Sequence, residues 1–211
     1  MMSDISWLMF IPAALLLIIV PGQDMMLVMS RSVAQGVGAG LATAAGVCVG
    51  LIGHTILATV GLGALLQTSE WLFFALKMLG AAYLVYLGVM LLCTRQQALA
   101  MPAGSTRPLP RLFFDGAFCN IANPKIVVFY LAFLPQFVLP GATHPALCVF
   151  VLGLTYAGLA FLVKGPIGLA GGFLSQWLRA RPGALGWVYR FSGTVLIALA
   201  VRLALEQQAA G

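Results

Sequence analysis

The chain has 211 residues, of which 62% are apolar and 8% are charged, whereas a soluble domain carries about a quarter charged residues. With a mean hydropathy of +1.04, this excludes a water-soluble globule and a disordered chain, and the long unbroken apolar runs exclude the alternating strands of a β-barrel. The formal net charge of +6 falls mostly in short loops between apolar runs, so it reads as an orientation signal facing anionic lipid and not as a nucleic-acid footprint.

A helical span needs about 20 apolar residues, and six stretches qualify: 5–30, 40–66, 71–93, 112–139, 145–164 and 186–205. The first is a span and not a removable signal. It has Asp4 where a signal peptide needs Lys or Arg, and its apolar run ends in Pro21-Gly22 without an A-x-A cleavage pattern. Proline inside apolar sequence removes an amide donor and breaks the helix. Asp24 follows that break directly, at membrane depth, where an ionisable group is costly and marks function.

The second span carries the i, i+4 ridge Ala42, Gly46, Gly50, His54, Ala58. Such a small-residue face lets another helix approach closely, so His54 faces protein. It either relays protons or holds a hydrogen bond across that interface. In the third span Lys77 lies inside from Glu70, and snorkelling to the outer headgroups is its simpler account. Tyr83, Tyr86 and, in the fifth span, Tyr156 are candidates to line a cavity or to pack with a hydrogen-bonded hydroxyl.

The linker 94–111 is rich in Pro, Gln, Ser and Arg and divides the chain into halves, 1–93 and 112–205, of three spans each. The fourth span then repeats the pattern of the first: Asn120, Asn123, Pro124 and Lys125 surround a second proline break. Lys164 and Arg190 fall near span ends, where a role in orientation suffices. Trp7, Trp71, Trp177 and Trp187 lie near span ends as an aromatic belt. Cys48, Cys93, Cys119 and Cys148 lack the short spacing of a metal site or disulfide framework, so no metal and no cofactor is expected.

Arg31, then Arg95, Arg107 and Arg111 against Asp115, then Arg179 and Arg181, load alternate loops with cations; the opposite side has Asp4, Glu70 and His144. The positive-inside rule puts loops 1–2, 3–4 and 5–6 in the cytoplasm and both termini outside. The expected fold is all-α: a single polytopic membrane domain of six helices, built as a 3+3 inverted repeat with helices 1 and 4 broken at Pro21-Gly22 and Pro124. Paired interruptions in inverted halves point to a transporter's binding site. Half-helix N-termini suit a carboxylate, and carbonyl ends with Asp24 suit an ammonium group or a proton.

The stretches V-P-G-Q-D-M-M-L-V-M-S-R-S at 20–32, the G-x-x-x-G of the second span, K-x-x-G-A-A-Y-L-V-Y-L-G at 77–88, N-I-A-N-P-K at 120–125 and F-L-P-Q-F-V at 133–138 carry a resemblance. Over nearly its whole length the chain resembles the LysE/RhtB family of bacterial amino-acid exporters. The resemblance implies an inner-membrane carrier that expels amino acids or their derivatives, in exchange for protons, and that is not an enzyme. The family's P-G-P-[ND] element maps to Pro21, Gly22, Gln23 and Asp24, its N-P-K element to Asn123, Pro124 and Lys125, and its helix 3 residues to Lys77, Gly80 and Tyr83. Gln23 departs from the usual second proline, and Leu51 stands where relatives often have an acidic residue.

The expected substrate and proton path therefore comprises Asp24, Asn120, Asn123, Lys125, His54, Lys77 and Tyr83. Asp24 would take the substrate's ammonium or the proton; Asn120, Asn123 and Lys125 would take its carboxylate end or stabilise open backbone. Export of a metal cation or other solute on the same fold remains an alternative, since fold does not fix substrate. A thiol-redox conduit would need paired cysteines beside both breaks, and only Cys119 lies near one. A membrane hydrolase would need an H-E-x-x-H or a serine–histidine constellation, and neither occurs. Small-residue ridges serve packing within one subunit or between copies, so a homo-oligomer stays open.

Overall fold

A computed structural model describes residues 2–20, 22–68, 70–93, 106–171, 173, 177 and 182–208. Pro21, most of the linker 94–111, Arg179 and Arg181 lie outside the described residues, as do the side chains of Lys77, Pro124 and Lys125. Eight α-helices are described: α1 (Trp7–Ile19), α2 (Gln23–Gln35), α3 (Val37–Thr68), α4 (Glu70–Cys93), α5 (Leu109–Ile121), α6 (Pro124–Phe133), α7 (Pro145–Leu169) and α8 (Pro182–Gln208). Short 3-10 turns at Met2–Asp4 and Leu134–Phe137 complete them. Each expected span falls on a helix, the first on α1 plus α2 and the fourth on α5 plus α6. Among the described residues, Val37–Gly61 and Pro145–Leu169 are long and apolar enough to cross a membrane, and the bent pair α1–α2 would make a third span.

Both breaks are made by local chemistry. Val20 adopts extended backbone (φ −60°, ψ 121°), as a residue before proline must. The chain restarts as α2 from an extended Gly22, with α1 and α2 bent by 51°. At the second break α5 ends at Ile121 and α6 starts on Pro124, the helix position where a missing amide costs nothing. A third, tighter turn separates α2 from α3. There Gly36 holds φ 87° and donates its amide to Ser32 O at 2.9 Å, a C-terminal stop that only glycine adopts freely.

The glycine ridge works as its spacing predicts. A Cβ on Gly46 would collide with the Phe113 carbonyl, one on Gly50 would lie 2.7 Å from Asn120 Cβ, and one on Gly116 would lie 2.5 Å from Thr43 O. α3 and α5 therefore touch backbone to backbone, with Gly46 facing Phe113 and Ala117, Gly50 facing Ala117 and Asn120, and Gly116 facing Thr43 and Val47. The opposite side of α3 meets α7, where Gly40 and Gly168 cross and Gly153 seats Thr55. α4 and α8 form a second pair joined at Gly88 and Gly193.

Contacts between distant segments order the two ends of the molecule. Ile5 bridges Val138, and Leu139 donates to Asp4 O at 2.9 Å, so the N-terminal segment and the turn after α6 share one end. At the other end, Arg107 Nη1 lies 2.7 Å and Arg31 Nη2 3.7 Å from Asp115 Oδ2, and Ser32 donates to Gly168 O at 2.6 Å. The core near the first end is aromatic. Phe133 stacks on Phe129 and meets Phe137 edge-on, each at 4.7 Å between ring centroids, and Phe10, Tyr130 and Tyr156 close the cluster.

Candidate functional site

The two breaks meet. Asn123 Nδ2 at the second donates to Gln23 Oε1 at the first (3.3 Å), and one turn deeper Asn120 Nδ2 donates to Asp24 Oδ2 (2.8 Å). Asp24 sits in the first turn of α2 and Asn120 in the last turn of α5. The broken-helix geometry therefore brings an N-terminal amide end and a C-terminal carbonyl end together around one carboxylate. Asp24 and Asn120 are 8% and 0% exposed.

The cation facing Asp24 comes from α7. Lys164 Nζ lies 3.1 Å from Asp24 Oδ2, and both side chains are about nine-tenths buried. This corrects the expectation that a role in orientation near a span end suffices for Lys164. Gly165 and Pro166 look like a helix end, but α7 continues through Pro166 to Leu169, which moves Lys164 more than a turn inside the helix. Arg190, its companion in that expectation, is exposed.

The pair lies on the wall of a cavity of about 440 Å³. Gly22, Gln23 and Asn123 from the breaks contribute the other polar rim, with Tyr156 and Tyr189. The rest of the wall is apolar and includes Leu17 and Ile18 of α1, Leu87 and Leu91 of α4, Ile126 and Phe129 of α6 and Leu196 of α8. Among the described lining residues, Asp24 and Lys164 alone carry charge, so the wall is neutral in sum. Oδ1 of Asp24 and Oδ1 of Asn120 are buried and have no hydrogen-bond partner among the described residues. Such atoms carry a desolvation penalty that a ligand donor would relieve.

The remaining expected residues divide. His54 is 2% exposed and stands behind Asn120, with Nε2 3.0 Å from the Asn120 carbonyl and its ring 5.7 Å from that of Tyr130. It is not on the described cavity wall, and its link to Asp24 runs through Asn120. Tyr83 stacks on the exposed Tyr86 at 6.0 Å and is half-buried against the core, one turn along α4 from the cavity-lining Leu87 but not itself on the described cavity wall. Tyr156 does line the cavity. Lys77 and Lys125 have side chains outside the described residues. All four cysteines are free thiols.

Asn120 thus links three elements: its amide holds Asp24, its carbonyl accepts from Asn123 N at 3.1 Å and meets His54, and its Cβ rests on Gly50. Asn120→Ala is expected to lower unfolding stability by about 1–3 kcal/mol, the cost of a lost hydrogen bond to a buried charged group. Thermal denaturation of the detergent-purified protein reads it directly, and an unchanged midpoint would contradict the linkage.

Comparison with known proteins places the chain. The family model described as LysE type translocator matches residues 15–207. A leucine efflux protein of Klebsiella pneumoniae subsp. pneumoniae is 30% identical over 204 residues, 96% of each chain. A leucine efflux protein of Salmonella typhimurium is 29% identical over 199 residues, 94% of each. An uncharacterized membrane protein, YrhP, of Bacillus subtilis is 37% identical over 142 residues, 63% of this chain and 68% of its own. No solved structure matches. With a family match running from within α1 to within α8, the chain belongs to the LysE type translocator family.

Proposed function

We propose that this protein is a secondary transporter that exports amino acids, with leucine-like aliphatic side chains as its natural cargo, by alternating access in exchange for protons. The observation that carries the reading is the buried Asp24, one of whose oxygens has no partner among the described residues, on the wall of a largely apolar cavity where two broken helices meet. Asp24 receives the substrate's ammonium group, or a proton in its place. The amides of Gly22–Asp24 at the start of α2, with Asn123, take the carboxylate end, Lys125 stabilises the open backbone of the second break, and the aliphatic wall takes the side chain. The names of the leucine efflux relatives support that choice of cargo.

Six spans in two inverted halves are part of this proposal. Its support is the pairing of α3 with α7 and of α4 with α8, the contacts that a twofold relating the halves would map onto themselves. The Arg31–Arg107–Asp115 end faces the cytoplasm of a bacterial inner membrane by the positive-inside rule, and both termini face outward.

The test is counterflow in proteoliposomes. Labelled leucine is expected to exchange into vesicles preloaded with unlabelled leucine, and an imposed pH gradient is expected to drive net movement. A protein that accumulates no labelled aliphatic amino acid under either condition is not this carrier. Leucine counterflow without any response to the pH gradient would retain export and remove proton exchange.

A further inference from the structure

We infer that Lys164 is the second charged residue of the binding site, and that the Asp24–Lys164 ion pair is an internal stand-in for a zwitterion. Substrate enters by exchanging partners: its ammonium replaces Lys164 Nζ on Asp24, and its carboxylate takes the Lys164 Nζ so released. The inference rests on the amino-acid reading above and names what the site selects.

Three observations carry it. Asp24 and Lys164 touch at 3.1 Å with both side chains about nine-tenths buried, so neither is neutralised by bulk water. Both line the same cavity, on different helices, α2 and α7, and can therefore be separated by a molecule placed between them. Asp24 Oδ1 is buried and has no partner among the described residues, which leaves the carboxylate a second acceptor for an incoming ammonium before the Lys164 contact is given up.

The selectivity follows from charge. A buried ion whose partner is removed is left uncompensated in a poorly polarisable environment, which is strongly unfavourable. A molecule with one cation and one anion opens the pair and leaves both ends compensated. An amine without a carboxylate would strand Lys164, and a carboxylate without an amine would strand Asp24. An amino acid with a charged side chain brings a third charge to a wall that is otherwise uncharged among the described residues and has no counter-charge there to meet it. The site therefore admits zwitterions with uncharged side chains.

Three probes share one carbon skeleton: leucine, 3-methylbutylamine, which lacks the carboxylate, and 4-methylpentanoate, which lacks the amine. Binding to the purified full chain is read by ligand-induced thermal shift, and transport by competition in counterflow. Wild type is expected to respond to leucine alone. Lys164→Met is expected to weaken leucine by about 100-fold and to raise the preference for the amine over leucine by a similar factor, as for loss of one buried charge partner. Asp24→Asn is expected to do the same for the carboxylate.

The double variant Asp24→Asn/Lys164→Met buries no lone charge, so it serves if a single variant does not fold; it is expected to lose leucine by about 100-fold or more and to prefer neither charged probe. If Lys164→Met, or the double variant, binds leucine within about threefold of wild type, the inference fails while the exporter reading stands. If wild type binds and moves no aliphatic amino acid, both fail together.

Discussion

Asp24→Asn is expected to abolish leucine counterflow and to destabilise the fold by about 3–5 kcal/mol, the range for removing one member of a buried ion pair. The substitution is close to isosteric and its amide carbonyl can still accept from Asn120 Nδ2, so the loss is electrostatic and not steric. What remains is the Lys164 ammonium, about nine-tenths buried on a cavity wall that Leu87, Tyr156 and Leu196 also line, with its carboxylate gone. Adding Lys164→Met to that variant removes the stranded charge and is expected to recover most of the stability, because buried pairs replaced by apolar groups are often neutral or better. Transport stays absent, since no anion is left for the ammonium. Stability rescued without activity separates the pair's role in the fold from its role in binding. Equal melting temperatures for wild type and Asp24→Asn would mean that the pair does not hold the resting structure.

The contrast between Asp24 and Lys164 marks how far the sequence could be read. Asp24 is legible because it follows a proline break in apolar sequence, and Asn120 because it precedes the matching break. Both signals are local. Lys164 has no such signal. Its run ends in Gly165-Pro166, which reads as termination, and its partner lies 140 residues away, a pairing that only the packing of α7 on α2 and α3 creates. The break at Asn123 was legible, but its contact with Gln23 was not. The ridge of Gly46, Gly50 and His54 was legible because close helix approach requires small residues at helical spacing, and its partner turned out to be α5.

Tyr83 was hard to place for a different reason. α4 is apolar almost all round, so its sequence carries no periodic mark of which face turns inward. Residues on such a helix are assigned to the cavity or to its exposed side only by the neighbours they meet. Leu87 and Leu91, which the sequence left unremarked, line the cavity, and Tyr86 is 60% exposed.

Gly46→Val is expected to cost about 3 kcal/mol or more, the upper end of overpacking penalties, and to impair transport although residue 46 lies off the described cavity wall. The obstacle is the Phe113 carbonyl of α5, with Ala117 N 3.0 Å from the added Cβ position. Both are main chain, so no rotamer change makes room and α5 must move as a body. The last turn of α5 carries Asn120, whose amide lies 2.8 Å from Asp24 and whose Cβ rests on Gly50. Displacing the helix by even the radius of a methyl group therefore takes the amide out of hydrogen-bonding range, so packing and site fail together.

Gly158→Ala on α7 is the matched control, since nothing lies within 4 Å of its added Cβ. There alanine's better helix propensity, worth up to about 1 kcal/mol, leaves the melting temperature level or slightly raised and counterflow intact. Thermal denaturation and leucine counterflow on the two variants decide the matter. If Gly46→Val melts and transports like Gly158→Ala, then α3 and α5 do not approach at backbone contact, and the small-residue face has some other purpose than to press the Asn120 end of α5 against Asp24.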